Sequence, residues 1–211
     1  YVRYLFVEYM MYIDMFYPLI TLILSLIGVE AIAFNIQERS GKFIRGAFSS
    51  YLSGDLLDQL IENPKALSLG GERKELSMLF SDIRGFTTIS ESMDPISLIT
   101  LLNRYFTPMT NVVMDNHGML DKYIGDAIVA RFDSGDRIKD AYNAANASSS
   151  MLTALKTFNK KSYDDVNIRI GINSGDVILG NLGCVGHRLD YTMIGDNVNI
   201  AERLEGNAEI N

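Results

Sequence analysis

The chain has 211 residues, 47% of them hydrophobic, enough for one domain of ordinary size with its own core plus an appendage. Its net charge of −7 argues against nucleic acid as the main partner, because phosphate backbones are bound by basic surfaces. With one cysteine, Cys184, and two histidines, His117 and His187, a single chain builds neither a disulfide framework nor a Cys/His zinc site.

The first element is apolar. Residues 15–29 (MFYPLITLILSLIGV) carry no charge, and the apolar character resumes after Glu30. The run totals about 20 residues, the length of a spanning helix. Residues 1–36 are therefore expected to be a membrane segment, with a spanning helix over about 15–34. Arg39, Lys42 and Arg45 follow, and positive flanks mark the cytoplasmic side. These features predict a membrane protein whose remainder is cytoplasmic. Glu8 and Asp14 precede the apolar run, which fits a cleavable signal peptide poorly. The other reading of the run is a buried helix of a soluble core, since Pro18 and Glu30 interrupt it. Residues 37–73 read as two short linker helices, the second with Leu56, Leu57, Leu60 and Ile61 on one stripe before Asn63-Pro64 breaks it. Either a passive linker or a signal-transmitting coupler accounts for them.

From residue 74 the pattern changes to alternating strands and helices. A strand is expected over 75–83, a helix over 95–116 with Ile99, Leu102, Tyr105 and Phe106 on one face, and a hairpin of strands 119–124 and 127–132 turning at Gly125-Asp126. A helix over 136–158, strands over 166–173 and 177–180, and a helix over 198–204 complete the series. The predicted fold class is α+β, with helices packed over one mixed sheet.

Two carboxylates stand at backbone turns. Asp82 closes the first strand, and Asp126 sits at the hairpin tip. Either alone would suit a surface turn, where Asp hydrogen-bonds locally. On neighbouring strand ends, the pair has the chemistry to bind two divalent ions, Mg2+ or Mn2+, which take oxygen ligands and leave positions open for phosphates. Gly85, followed by Phe86 and Thr87, lets backbone N–H groups approach a polyphosphate. Lys122 on its own reads as an ion-pair partner of Asp121 or Asp126. Asn199 and Arg203, four apart, share a helix face.

The blocks ERKELSMLFSDIRGFT, GMLDKYIGDAIVARF, RIGINSGDVILGNLG and DYTMIGDNVNIAERLEG resemble, in order and spacing, the signature blocks of class III adenylyl and guanylyl cyclases. The segment from Phe48 to Leu76 is similar to the transducer of bacterial membrane-bound members. The resemblance implies a palm-like catalytic domain over 74–211 and a sensor domain upstream. It also implies a roster of site residues. Asp82, Asp126 and the Ile83 backbone carbonyl would be metal ligands, Lys122 and Thr192 purine contacts, Asn199 a ribose contact, and Arg203 the stabiliser of charge on the α-phosphate. The reaction implied is conversion of ATP to 3′,5′-cyclic AMP and pyrophosphate, in a homodimer whose sites draw residues from both chains. Relatives continue past the Arg203 helix with further strands and a phosphate-contacting lysine, so the chain, ending at EGNAEIN, is expected to be truncated. A guanylyl cyclase and a catalytically silent cyclase-like module are the alternatives; a diguanylate cyclase would need a GGDEF-type hairpin where this chain has Tyr123-Ile124-Gly125-Asp126-Ala127.

Overall fold

The computed structural model describes residues 17–30, 32, 70–162, 166–184 and 187–209. The chain divides into two units, Tyr1–Glu62 and Asn63–Asn211. In the first, residues 17–30 form helix α1, whose large apolar side chains are exposed, Leu24 and Val29 among them. No described helix is long and apolar enough to cross a membrane. The span expected over about 15–34 lies partly outside the described residues, as do residues 37–69 of the expected linker.

The second unit runs β1 (Gly70–Ile83), α2 (Phe86–Ser92), α3 (Pro95–Asp115), β2 (Met119–Ile124), β3 (Ala127–Phe132), α4 (Arg137–Ser162), β4 (Ile168–Cys184), β5 (Arg188–Ile194) and α5 (Asp196–Gly206). The strands form one sheet in the order β2-β3-β1-β4-β5. Every described pairing is antiparallel, so the sheet is not mixed as expected. Three boundaries also differ. Gly70–Arg73, assigned to the linker, begins β1, because its backbone pairs with Ile178–Asn181. The two short strands expected at 166–173 and 177–180 are one continuous strand, β4, since Ser174, Gly175 and Asp176 keep their pairing to β1. Strand β5 was not foreseen, because the charges in RLDYTMI disguise it.

Local sequence explains the helix starts. Asp94 accepts from the N–H groups of Ile96 and Ser97, and Pro95 occupies the first helical turn of α3, where its missing donor is harmless. Asp136 accepts from Ile138 and Lys139 ahead of α4. Helix α3 buries Leu101, Tyr105, Met109 and Val113 at every fourth position. Of its expected face, Tyr105 is fully buried and Leu102 and Phe106 border the core, whereas Ile99 is exposed.

The sheet is buried on both sides. On the face covered by α3 and α4, Leu79, Ile83, Ile128, Ala130, Phe132 and Ile168 join the main core. The other face, with Leu76, Met78, Phe80 and Val129, packs against Val177, Leu179, Met193 and Ala201. Burial on both faces is why β1 reads as a continuous apolar run rather than an alternating one. Helix α5 seats tightly on β4. A Cβ at Gly171 would collide with the backbone N of Glu205 and the backbone O of Ala201, so only glycine admits the helix there.

Candidate active site

Asp82 is the next-to-last residue of β1, and alternation along the strand places it on the face shared by Met78 and Phe80. Asp126 lies in the tight turn between β2 and β3, after Gly125 in the left-handed region at φ 64°. Since β3 pairs directly with β1, the hairpin tip returns to the end of β1. The Ile83 backbone N–H donates to Asp126 Oδ2 at 3.1 Å. The two expected carboxylates are thus neighbours. Burial pushes the Asp126 carboxyl up to about 6, and the hydrogen bond and negative charge of Asp82 beside it push the same way. Asp126, whose ionisation is disfavoured beside a second carboxyl group, belongs to a donor set that a divalent cation relieves, so the residues fit the expected metal ions. Among the described residues no group of three or more His, Cys, Asp or Glu side chains is arranged to hold a metal ion.

The cross-strand partner of Asp82 is Arg169 of β4. Arg169 Nη2 donates to Asp82 Oδ2 at 3.2 Å, and Nη1 donates to the Gly206 carbonyl at 3.2 Å. Its Nε lies 3.0 Å from Glu205 Oε1, without hydrogen-bond alignment. Burial raises the Glu205 carboxyl, opposed by Arg169. Neither Arg169 nor Glu205 was foreseen. The clue was present in VNIRIGIN, where Val166, Ile168, Ile170 and Ile172 alternate with polar or small residues. A strand with such a polar face beside Asp82 is placed to carry its counter-ion.

Gly85 adopts the left-handed region, φ 67°, and caps α2, whose Thr88 and Ile89 N–H groups donate back to its carbonyl. Phe86 borders the core and Thr87 is exposed. Helix α2 has only seven residues, so any dipole at its start is short.

Lys122 and Thr192 lie on β2 and β5, opposite edges by hydrogen-bonding order. They nevertheless meet at one carboxylate, because the sheet folds over enough to bring β5 across the face of β3. Thr192 Oγ1 is 3.4 Å from Asp121 Oδ2, Lys122 Nζ is 3.7 Å from the same oxygen, and the Arg131 guanidinium of β3 lies 5.5 Å from the ring centre of Tyr191 on β5. The ion pair of Lys122 with Asp121, one of its expected alternatives, is therefore present. Asn199 and Arg203 are exposed and four residues apart on α5, which places them on one helix face. Asn197 fixes the start of that helix: its Nδ2 donates to the Asp176 carbonyl, and its own carbonyl accepts from Asn173. Among the described residues, no hydrogen bond or ion pair joins Asn199 or Arg203 to the carboxylate pair or to Lys122 and Thr192. One chain presents the expected residues as separate groups. A cavity of about 400 Å³ between α3 and α4, lined by Arg104, Phe158 and Lys161 among others, contains none of them.

Comparison with known proteins identifies the family. Residues 71–211 match the family model described as adenylate and guanylate cyclase catalytic domain. An adenylate cyclase of Anabaena cylindrica is 38% identical over 173 residues, which cover 78% of this chain and 32% of that protein. The chain thus spans about a third of that relative's length. Among solved structures, the adenylyl cyclase CyaB from P. aeruginosa is 36% identical with TM-score 0.63, covering 67% of this chain and 76% of that one. The guanylyl cyclase Cya2 is 33% identical with TM-score 0.62, covering 67% and 74%.

Proposed function

The chain belongs to the adenylate and guanylate cyclase catalytic-domain family, and on that premise we propose that it converts ATP to 3′,5′-cyclic AMP and pyrophosphate. The observation that carries the reading is the juxtaposition of Asp82 and Asp126, tied through the Ile83 N–H. Asp82, Asp126 and the Ile83 carbonyl would hold two Mg2+ or Mn2+ ions, which when bound offset polyphosphate charge and favour the ionised 3′-hydroxyl.

The chain's own residues do the rest. Lys122 donates to adenine N1 and Thr192 accepts from the 6-amino group, a pattern that suits adenine over guanine. Asn199 orients the ribose. The Arg203 guanidinium donates to α-phosphate oxygens as their charge grows. The O3′–P bond forms, the bond from the α-phosphorus to the bridging oxygen breaks, pyrophosphate leaves with its electron pair, and the hydroxyl proton is released. No covalent enzyme intermediate is needed. Backbone N–H groups at Gly85, Phe86 and Thr87 face the phosphates.

Separation of these groups within one chain supports a homodimer in which one protomer supplies the carboxylates and its partner supplies the purine and ribose contacts. The apolar run and its basic flank support anchorage in the inner membrane, with the catalytic unit in the cytoplasm and a sensor upstream. Similarity to a guanylyl cyclase favours a second reading, cyclic GMP synthesis. The shared site has its own test: mixing inactive Asp82→Ala and Asn199→Ala chains should restore activity, because one of the two heterodimer sites is intact. No recovery from chains shown to form the mixed dimer would defeat it.

A further inference from the structure

Asp121 belongs to none of the expected ligand contacts, yet it is the point where they converge. In the β2–β3 pairing, Leu120 opposes Ala130 and Lys122 opposes Val129, so Asp121 is the extra residue of a bulge. In an unbroken strand, residues 121 and 122 would face opposite sides of the sheet. A bulge re-aims the neighbouring side chain, and here Lys122 Nζ comes within 3.7 Å of Asp121 Oδ2.

The Asp121 side chain is only 1% exposed. Arg131 Nη1 donates to its Oδ1 at 3.2 Å, and Thr192 Oγ1 donates to its Oδ2 at 3.4 Å. Burying a carboxylate is unfavourable unless cations and donors surround it. Those surrounding Asp121 include both residues assigned to the purine.

We infer that Asp121 is a positioning residue that sets Thr192 and Lys122 into the donor and acceptor pattern of an adenine ring. The inference rests on the reading of those two residues as purine contacts. Its physical basis is that an ionised carboxylate only accepts hydrogen bonds, whereas a hydroxyl has one proton and two lone pairs. With its proton committed to Asp121, Thr192 offers only lone pairs to a ligand. Those lone pairs accept from the adenine 6-amino group and repel the guanine O6. Lys122, held by the same oxygen, meets adenine N1 with a donor and would meet guanine N1–H with a clash of donors. Without Asp121, the Thr192 hydroxyl is free to rotate and donate to O6.

The test is equilibrium binding of 3′-deoxy-ATP and 3′-deoxy-GTP with Mg2+, since neither has the attacking hydroxyl and the ratio is independent of turnover. Removing Asp121 alone would strand the buried Arg131 charge, so the variant is Asp121→Leu with Arg131→Met, which deletes the pair together. Its melting curve checks folding, and Arg131→Lys alone is the control that keeps the carboxylate with a cation beside it. Wild type and the control should prefer the adenine nucleotide. The paired variant should lose roughly tenfold of that preference, the cost of one mismatched buried hydrogen bond. Thr192→Ala should lose as much in the wild-type background and nothing further in the paired variant. A folded paired variant with undiminished preference overturns the inference while leaving cyclic AMP synthesis from ATP standing. Guanine preference in wild type, or no binding of either nucleotide, overturns the inference together with the adenine reading. Where the paired variant does not fold, Asp121→Asn carries the same test, because its amide can turn a donor toward Thr192; an unchanged ratio there also overturns it.

Discussion

The Ile83 backbone N–H donates to Asp126 Oδ2 at 3.1 Å, fastening the tip of the β2–β3 hairpin to the end of β1. The contact eases the ionisation of Asp126, which burial and the neighbouring Asp82 oppose more strongly. That opposition has a stability cost that can be measured.

A carboxyl raised from its ordinary 3.8 to about 6 retains its proton in the fold over a range where the unfolded chain has lost it. The metal-free fold is thus favoured at low pH and loses stability as pH rises from about 4 to 6. Asp126→Asn keeps an acceptor for Ile83 and removes the ionisation. Above pH 6 and without divalent ions, the variant should be more stable than wild type, on the order of 1 kcal/mol after discounting for solvent screening. Mg2+ or Mn2+ should raise the wild-type melting temperature and leave that of the variant nearly unchanged, while cyclase activity is lost. Equal melting temperatures and equal metal responses would contradict the account.

Part of the layout of the candidate site was legible in the chain, for reasons that differ residue by residue. Asp82 and Asp126 were found because an apolar strand or hairpin ending in Asp marks a turn, and turns expose their side chains. The four-residue spacing of Asn199 and Arg203 marks one helix face, and only the resemblance to class III cyclases gives that face a role. What was missed depends on partners distant in sequence. Arg169 reads alone as an ordinary exposed strand residue, and only its pairing with Asp82 gives it a role. The convergence of Lys122 and Thr192 on Asp121 needs both a bulge and a folded-over sheet, and neither leaves a local pattern. The one-piece β4 was split in the sequence reading because Ser174-Gly175-Asp176 resembles a turn, although β1 holds it extended.

Gly171 offers a test of how α5 presents its residues. Ala at this position would drive a methyl group into the backbone at Ala201 and Glu205. Overpacking of that kind costs about 1–3 kcal/mol. The larger effect should be on turnover, because displacing Asn199 and Arg203 by about 1 Å is expected to lower kcat roughly 100-fold. A melting curve and steady-state kinetics check both. Wild-type kcat in Gly171→Ala would show that the seating of α5 is irrelevant to the reaction.

Arg169 links Asp82 of β1 to Glu205 and Gly206 at the end of α5. Arg169→Met leaves both carboxylates without their cation, and the partial exposure of the cluster limits the loss to about 1–2 kcal/mol, less than for a fully buried pair. Adding Glu205→Gln should recover part of it, since the stranded charge goes with it. Denaturant unfolding of the two single variants and the double variant measures the coupling. Strict additivity would mean that the Arg169–Glu205 approach contributes nothing.

The central claim is that this chain cyclises ATP, with Lys122 reading the purine. Its most direct test is to supply ATP and GTP separately, with Mg2+ or Mn2+, to wild type and to Lys122→Glu, and to quantify cyclic nucleotide and pyrophosphate. Wild type should release cyclic AMP and pyrophosphate in equal amounts with GTP turned over at least about tenfold more slowly, and Lys122→Glu should shift preference toward GTP because a carboxylate accepts from guanine N1–H. Preference of wild type for GTP, or nucleotide binding without any cyclic product, would contradict it.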